Sequence, residues 1–282
     1  MEKKITIASD STCDLSPELI EKHAIKLLPL TVNLGTKQYR DGIDITPDDI
    51  YKHYEDTGEL PKTAAVNVSE FDEFFRAETD AGNAVVMFTI SSDMSSTFNN
   101  ARLAAEAYED VHVVDTRNLS TGGGLLVMRA VDLAASGKNA AEIAEKCCAL
   151  TSCVDASFVV DDLEFLYKGG RCSALAAFGA NLLQLKPCIY VSSGKMGVGK
   201  KYRGKFGITL KKYVADQLSE LDTIDPTRVF ITHAGCDDGI VAACVDAVKA
   251  LGYFKEINVT RAGCTISSHC GRNTLGVLFL KK

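Results

Sequence analysis

A turn rich in hydroxyl groups lies between a predicted strand and a predicted helix in the N-terminal half of the chain. The apolar segment 84–90 predicts the strand, and a helical pattern begins at Phe98. Such a turn presents backbone N–H groups and the positive end of the helix dipole to an anion. It holds three adjacent hydroxyl residues, Ser95, Ser96 and Thr97. These hydroxyls can donate to a carboxylate or phosphate, or they can simply cap the helix, and spacing alone slightly favours capping.

A second candidate for anion binding is Arg171, which follows two glycines. Glycine lets the backbone approach a ligand closely, and a guanidinium group can hold a carboxylate or phosphate through two parallel hydrogen bonds. A turn that carries a surface arginine explains the segment 166–171 equally well. The local sequence therefore leaves the role of Arg171 open.

His269 is a third candidate and lies on a polar segment before the final predicted strand, where we expect a turn. A neutral imidazole can donate or accept a hydrogen bond, although a single histidine is more often structural. An alternative is that Ser95 and His269 form the dyad of a serine-dependent acyl ester or thioester hydrolase. Ser95 lacks the Gly-x-Ser-x-Gly elbow of many hydrolases, and no aspartate stands out as the third member of a triad.

The segment 194–200 is close to a phosphate-binding loop but departs from that motif in two ways. Lys201 stands where serine or threonine would bind magnesium, and more loop follows where a helix N-terminus would bind the phosphate. A β-hairpin explains the pattern better, with a strand at 188–192, a turn at 193–195 and a return strand that ends at Arg203. We therefore expect no nucleotide site here.

Composition argues against several classes of protein. The net charge of −6 disfavours a general nucleic-acid binder, which would carry a basic excess. The ten cysteines are scattered and form no Cys-x-x-Cys pair, so the sequence predicts no metal site. No cofactor and no catalytic residue are predicted.

No segment is long enough to cross a membrane as an apolar helix. The longest uncharged stretch, 172–185, falls short of the ~18 residues that a span requires. The first residues run directly into a strand-like segment and lack the apolar region of a signal peptide. These patterns predict a cytoplasmic protein that is not an integral membrane protein.

Short apolar runs alternate with amphipathic segments along the whole chain. The runs that predict strands are 5–8, 27–32, 84–90, 111–114, 157–160, 188–191, 229–232, 257–260 and 276–280. Helices are predicted to begin near Pro17, Pro47 and Ser69 and to cover 125–150, 209–221 and 238–251. This alternation predicts an α/β fold with substantial parallel sheet. We place a domain boundary after the Ala-rich helical stretch, which predicts domains of residues 1–160 and 161–282.

Several motifs, in the same order along the chain, resemble those of the DegV family of fatty-acid-binding proteins. The family's opening D-S-x-x-D-L motif matches residues 10–15. Further matches are 61–63, 90–97, 166–173 and 185–187, with Gly194 and Arg203 downstream, and 269–271 near the end. The resemblance spans nearly the whole chain, and it depends on several separate motifs rather than on one.

This resemblance implies two α/β domains with a long-chain fatty acid buried in the cleft between them. Thr63 and Ser95 correspond to the residues that bind the ligand carboxylate, and Arg171 and His269 correspond to residues near the same head group. Arg203 matches an arginine implicated in engaging the catalytic subunit of a bacterial fatty acid kinase. The resemblance thus implies a non-catalytic carrier that presents the fatty acid for acyl-phosphate formation, which feeds phospholipid synthesis.

Three positions depart from the family pattern. Thr63 is followed by Ala64-Ala65-Val66, where Ser-x-Pro is usual, and Ser96 replaces a glycine. Arg272 and Asn273 follow the late histidine motif, where Gly-Pro-Gly is usual. The first and third changes alter head-group donors or loop stiffness.

Overall fold

A computed structural model describes residues 3–177 and 185–282, so the uncharged stretch 172–185 lies partly outside the described residues. These described residues alternate between strands and helices and form three sheets, which confirms the predicted α/β fold. Within the described part, no helix combines the length and apolar character that a membrane span requires. The described α-helices are α1 (Pro17–Lys22), α2 (Pro47–Thr57), α3 (Val68–Asp80), α4 (Thr97–Ala105), α5 (Thr121–Ala135), α6 (Ala140–Leu150), α7 (Glu164–Gly169), α8 (Phe206–Gln217), α9 (Asp238–Ala250) and α10 (Cys264–Cys270).

The first sheet contains four parallel strands in the order β2-β1-β6-β7. These strands are β1 (Ile5–Asp10), β2 (Lys26–Leu28), β6 (Ala84–Thr89) and β7 (Val111–Asp115). All six residues of β6 are buried, as expected for a central strand of a parallel sheet. Because β1 and β6 are parallel neighbours, the segments that follow them meet at the same edge of the sheet.

The second sheet is small and antiparallel, with the strand order β4-β3-β5, and its described strands form no ladder with those of the first sheet. It consists of β3 (Thr31–Leu34), β4 (Lys37–Arg40) and β5 (Lys62–Ala64). Helix α10 packs against β3 and β5, so this sheet brings a distant C-terminal helix next to the N-terminal strands.

The third sheet contains six strands in the order β10-β9-β8-β13-β11-β12. They are β8 (Val154–Val160), β9 (Lys186–Ser192), β10 (Lys195–Tyr202), β11 (Ile224–Ala234), β12 (Glu256–Arg261) and β13 (Thr274–Lys281). The β11–β12 pair is parallel and the other pairs are antiparallel. The pairing of β9 with β10 confirms the predicted hairpin.

Helix α5 lies between the two larger sheets and packs against β1 and β6 on one side and β8, β11 and β13 on the other. Its residues from Thr121 to Met128 are all buried, which is typical of a helix covered on every side. A Cβ atom at Gly124 would lie 2.7 Å from the carbonyl oxygen of Cys13, so the glycine permits close packing. One hydrophobic cluster extends from Ile7 to Leu278 and joins both sheets.

Three predicted elements differ in the structure. The run 27–32 forms parts of β2 and β3 because Pro29, which lacks an N–H group, separates them. The helical stretch 125–150 is divided into α5 and α6, since Gly137 takes a left-handed conformation with φ of +82°. Helix α3 is capped by Asn67 instead of Ser69.

The predicted boundary at residue 160 follows β8 directly. Strand β8 lies on the N-terminal side of that boundary in sequence, yet it pairs with β9 and β13 of the six-stranded sheet. The change from the first sheet to the six-stranded sheet therefore falls before Val154, after helix α6.

Candidate functional site

A cavity of about 560 Å³, open to solvent on one side, lies between N-terminal and C-terminal elements. This volume lies within the range of roughly 300–1,000 Å³ that is typical of small-molecule sites. The apolar part of its wall comes from both sides of the predicted domain boundary and includes Leu30, Ile90, Met94, Leu119, Met196 and Ile266. The cavity can therefore accept a ligand that is apolar over most of its length.

Five of the six predicted ligand-binding residues line this cavity: Thr63, Ser95, Ser96, Arg171 and His269. The sixth, Thr97, is fully buried behind the wall, where its hydroxyl lies 2.8 Å from that of Ser95. The fold thus brings together side chains that are separated by more than two hundred positions in the sequence.

Thr63 and His269 are in direct contact. The Oγ1 atom of Thr63, on β5, lies 2.8 Å from Nε2 of His269. The prediction that His269 lies on a turn is wrong, because it occupies the last turn of helix α10. Five of its seven residues are cysteine, serine or threonine, so its sequence resembles a polar loop.

His269 is held in its neutral form. Burial, together with the positive charge of Arg171, lowers the pKa of His269 to about 4, so the ring carries no charge at neutral pH. Its Nδ1 atom is buried and has no hydrogen-bond partner among the described residues. The imidazole can therefore supply a hydrogen bond but not a counter-charge.

The two glycines before Arg171 serve different purposes. A Cβ atom at Gly169 would lie 2.7 Å from Nδ1 of His269, so Gly169 leaves room for the imidazole ring. Gly170 ends helix α7 in the left-handed conformation, with φ of +70°. The close backbone approach expected from this pair is thus made to a histidine of the site.

Arg171 supplies positive charge at the cavity. Its side chain is exposed, and Nη1 donates a hydrogen bond to the carbonyl oxygen of Gly169 at 2.8 Å. It forms no salt bridge with any described residue. The guanidinium group therefore keeps donors that a carboxylate can use.

The turn before α4 contacts both its own helix and the cavity. Ser95 accepts a hydrogen bond from the backbone N–H of Thr97 at 3.2 Å and also lines the cavity. Ser96 occupies the N-cap position but forms no capping hydrogen bond through its side chain. It is exposed and lines the cavity, where its hydroxyl can contact a ligand.

The described residues do not assemble a serine hydrolase dyad. Ser95 pairs with Thr97, and His269 pairs with Thr63. No described carboxylate contacts Nδ1 of His269, so the orienting acid of a triad is absent from residues 3–177 and 185–282.

The predicted hairpin forms part of the cavity wall through Met196. Its turn is held against the N-terminal elements, because Ser91 donates to the carbonyl oxygen of Gly194 at 2.8 Å and Arg117 donates to that of Ser193. Arg117 also forms a salt bridge with Asp93 at 2.6 Å. These contacts place the former phosphate-loop candidate in a structural role.

Arg203 lies outside the cavity wall. It follows β10, is exposed, and does not line the cavity. Among the described residues it has no salt bridge or hydrogen-bond partner that would fix its guanidinium group. Its side chain is therefore accessible to another molecule.

Sequence reasoning missed Thr265, which lines the cavity and is only 3% exposed. Thr265 and His269 are four residues apart on α10 and therefore lie on one face of the helix. This spacing would have identified Thr265 if the helix itself had been predicted. Within residues 3–177 and 185–282, no cluster of three or more His, Cys, Asp or Glu side chains is arranged to hold a metal ion.

The fold and the site define an α/β protein with a largely apolar cavity and a group of hydroxyl, imidazole and guanidinium side chains in its wall. A model of the family described as "Uncharacterised protein, DegV family" matches residues 4–282. The chain belongs to the DegV family.

Relatives agree with this assignment over the full length of the chain. A DegV domain-containing protein of Clostridium acetobutylicum is 31% identical over 99% of both chains. A fatty-acid-binding DegV family protein from Thermus thermophilus has a TM-score of 0.91 and 30% identity, and the match covers 99% of this chain and 100% of that one. A stearic-acid-binding protein from Eubacterium ventriosum has a TM-score of 0.84 and 29% identity, and the match covers 100% of this chain and 99% of that one.

Proposed function

We propose that this protein binds a long-chain fatty acid in the cavity between its N-terminal and C-terminal elements and presents the carboxylate to a separate fatty acid kinase. In this proposal the protein is a non-catalytic, cytoplasmic carrier. The kinase converts its bound acid to an acyl phosphate for phospholipid synthesis. The observation that carries it is the cavity itself, in which an apolar wall adjoins Thr63, Ser95, Arg171 and His269. The fatty acids bound by the relatives from Thermus thermophilus and Eubacterium ventriosum support the same ligand class.

Burial of the acyl chain supplies the binding energy. Each buried methylene stabilises the complex by about 0.8 kcal/mol, so a long chain contributes on the order of 10 kcal/mol before the cost of association. A carboxylate that leaves water needs several hydrogen bonds or a positive partner. Arg171 and the hydroxyls in the wall can meet this requirement.

Thr63 and His269 form a short relay in this proposal. A hydroxyl has a single proton, so Thr63 can donate to the ligand only if His269 donates to it from Nε2. The Nε2–H tautomer leaves Nδ1 as a buried acceptor that has no hydrogen-bond partner among the described residues. The hydrogen bonds then run from the imidazole to the hydroxyl and from the hydroxyl to the carboxylate.

The role of Arg203 in the proposal is to contact the kinase. It is exposed and lies outside the cavity wall, so it can engage a second protein without touching the lipid tail. The kinase would supply the nucleotide site in this proposal, since the segment 194–200 forms part of the β9–β10 hairpin and does not lead directly into a helix.

Native mass spectrometry of the purified protein, followed by solvent extraction, tests the ligand. One fatty acid released per chain supports the proposal and identifies its length. A protein that is empty and takes up none of a series of added fatty acids contradicts it. A reconstituted assay with a bacterial fatty acid kinase and ATP tests the second step through acyl-phosphate formation.

A further inference from the structure

Three buried aspartates bind backbone groups in or next to the cavity wall without lining the cavity. Asp10, Asp14 and Asp41 are at most 6% exposed, and none of them forms a salt bridge with a described residue. Each accepts a hydrogen bond from the backbone of a segment that leads into the cavity wall. Asp10 accepts from Ile90 at 2.7 Å, and Asp14 accepts from Gly263 at 2.8 Å.

Asp41 has the most extensive set of these contacts. One oxygen accepts from the N–H of Cys264 at 2.8 Å, and the other accepts from the N–H of Thr265 at 3.1 Å. The second oxygen also accepts from the hydroxyl of Ser11 at 2.9 Å. The carboxylate therefore holds the first turn of α10 against the segment that follows β1.

Ser11 extends this connection to another part of the wall. Its hydroxyl oxygen accepts a hydrogen bond from the N–H of Leu30 at 3.1 Å, and Leu30 lines the cavity. The backbone N–H of Asp41 in turn donates to the carbonyl oxygen of Leu30 at 2.9 Å. Asp41 thus joins two wall residues, Leu30 and Thr265, that lie 235 positions apart in the sequence.

The position of α10 determines where His269 lies. Thr265 is one helical turn before His269, so a shift or rotation of the first turn moves the imidazole. The imidazole has little freedom, because Thr63 is 2.8 Å away on one side and the backbone of Gly169 is close on the other. A small displacement is enough to break the Thr63 contact or to expose the ring.

We propose that Asp41 is a positioning residue for the carboxylate site, which it serves by anchoring the N-terminal turn of α10 and so holding His269 against Thr63. Asp41 does not touch the ligand in this scheme. The effect on the ligand rests on the proposed fatty-acid function, whereas the effect on His269 does not.

The substitution Asp41→Asn tests the proposal. An amide of nearly the same shape replaces one acceptor oxygen with a donor group, which then faces an N–H or hydroxyl donor. We expect the pKa of His269, followed by NMR of the imidazole, to rise from about 4 toward the ordinary value near 6.5. Fatty-acid affinity should fall about tenfold, the effect of losing one charge-assisted hydrogen bond in the site.

Ile143→Ala is the matched control, since Ile143 is fully buried on α6 and does not line the cavity. It lowers the free energy of unfolding through a core cavity and should leave the His269 titration unchanged. Ser11→Ala provides a milder variant if Asp41→Asn does not fold, because it removes one hydrogen bond to Asp41. It should raise the pKa of His269 by a smaller amount.

The outcomes separate the two proposals. The positioning role is overturned if folded Asp41→Asn leaves the pKa of His269 unchanged, even if fatty-acid affinity falls. If Asp41→Asn does not fold, an unchanged pKa of His269 in Ser11→Ala overturns it. An equal shift in Ile143→Ala also overturns it, because the effect would then be one of general destabilisation. A shift confined to the Asp41 and Ser11 variants, in a wild-type protein that binds no fatty acid, supports positioning and contradicts the proposed ligand.

Discussion

Replacement of Thr63 by valine removes a single hydroxyl from the carboxylate site and preserves the shape of the side chain. The hydroxyl lies 2.8 Å from Nε2 of His269 and lines the cavity. A hydrogen bond to a charged group contributes about 1.5–3 kcal/mol, so we expect Thr63→Val to weaken fatty-acid binding by about 10- to 100-fold. The free energy of unfolding should also fall, by about 1–3 kcal/mol, because the substitution removes the hydrogen-bond partner of the buried Nε2 atom of His269.

Displacement of a fluorescent fatty acid at fixed pH and ionic strength measures this effect. Thr31→Val makes the same substitution on β3, the strand next to Thr63, at a side chain that does not line the cavity. It should leave the affinity unchanged. Thr63→Ser retains the hydroxyl and should restore most of the binding.

A folded Thr63→Val protein that binds within twofold of the wild type would refute the relay from His269 through Thr63 to the carboxylate. Equal losses in Thr63→Val and Thr31→Val would refute it as well, since the effect would then come from the sheet rather than from the site. Circular dichroism and thermal unfolding of each variant establish that the compared proteins are folded.

Three further expectations concern the histidine, the glycine beside it and the exposed arginine. Gly169→Ala should displace His269 and weaken fatty-acid binding. Gly170→Ala should lower the thermal stability, because Gly170 has a positive φ, and should affect binding less. Equal fatty-acid affinities of the two variants would contradict this expectation. His269 has a folded pKa of about 4, below its usual value of 6.5, so its contribution to stability is complete above pH 6.5 and is lost as the pH falls toward 4. Relative to His269→Gln, the unfolding free energy of the wild type should fall by up to about 3 kcal/mol over that interval, and a flat difference in denaturant titrations would refute the assignment. Arg203→Ala should leave fatty-acid binding intact but slow acyl-phosphate formation by the kinase, with Lys205→Ala as the neighbouring control; loss of lipid binding would place Arg203 at the cavity instead.

The sequence predicted correctly those strands and turns that have a clear hydrophobic pattern and clear turn residues within a short segment. The apolar run before Ser95 forms the buried strand β6, and the segment 188–203 forms the hairpin β9–β10. In both cases the hydrophobic pattern and the turn residues indicate the same structure. The error at 125–150 arose because alanine and leucine continue a helical pattern across Gly137, whose positive φ ends helix α5.

Weaker local signals left other features to the tertiary structure. Helix α10 is short and has no capping side chain, and its first N–H groups are instead bound by Asp14 and Asp41 from the opposite end of the chain. The sequence of α10 itself does not include these two acceptor residues. The helical placement of His269 therefore depends on contacts that form only when the chain folds.

The sequence by itself determined the α/β class, the hairpin and five of the residues that line the cavity, because these follow from local periodicity and from motifs shared with the DegV family. Only the tertiary structure decided which of these residues act together. Thr63 and His269 meet because β5 and α10 pack against each other, and Thr97 is removed from the cavity because the helix buries it. Hydrogen bonds between segments more than 200 residues apart depend on the packing of whole elements, and sequence periodicity describes only one element at a time.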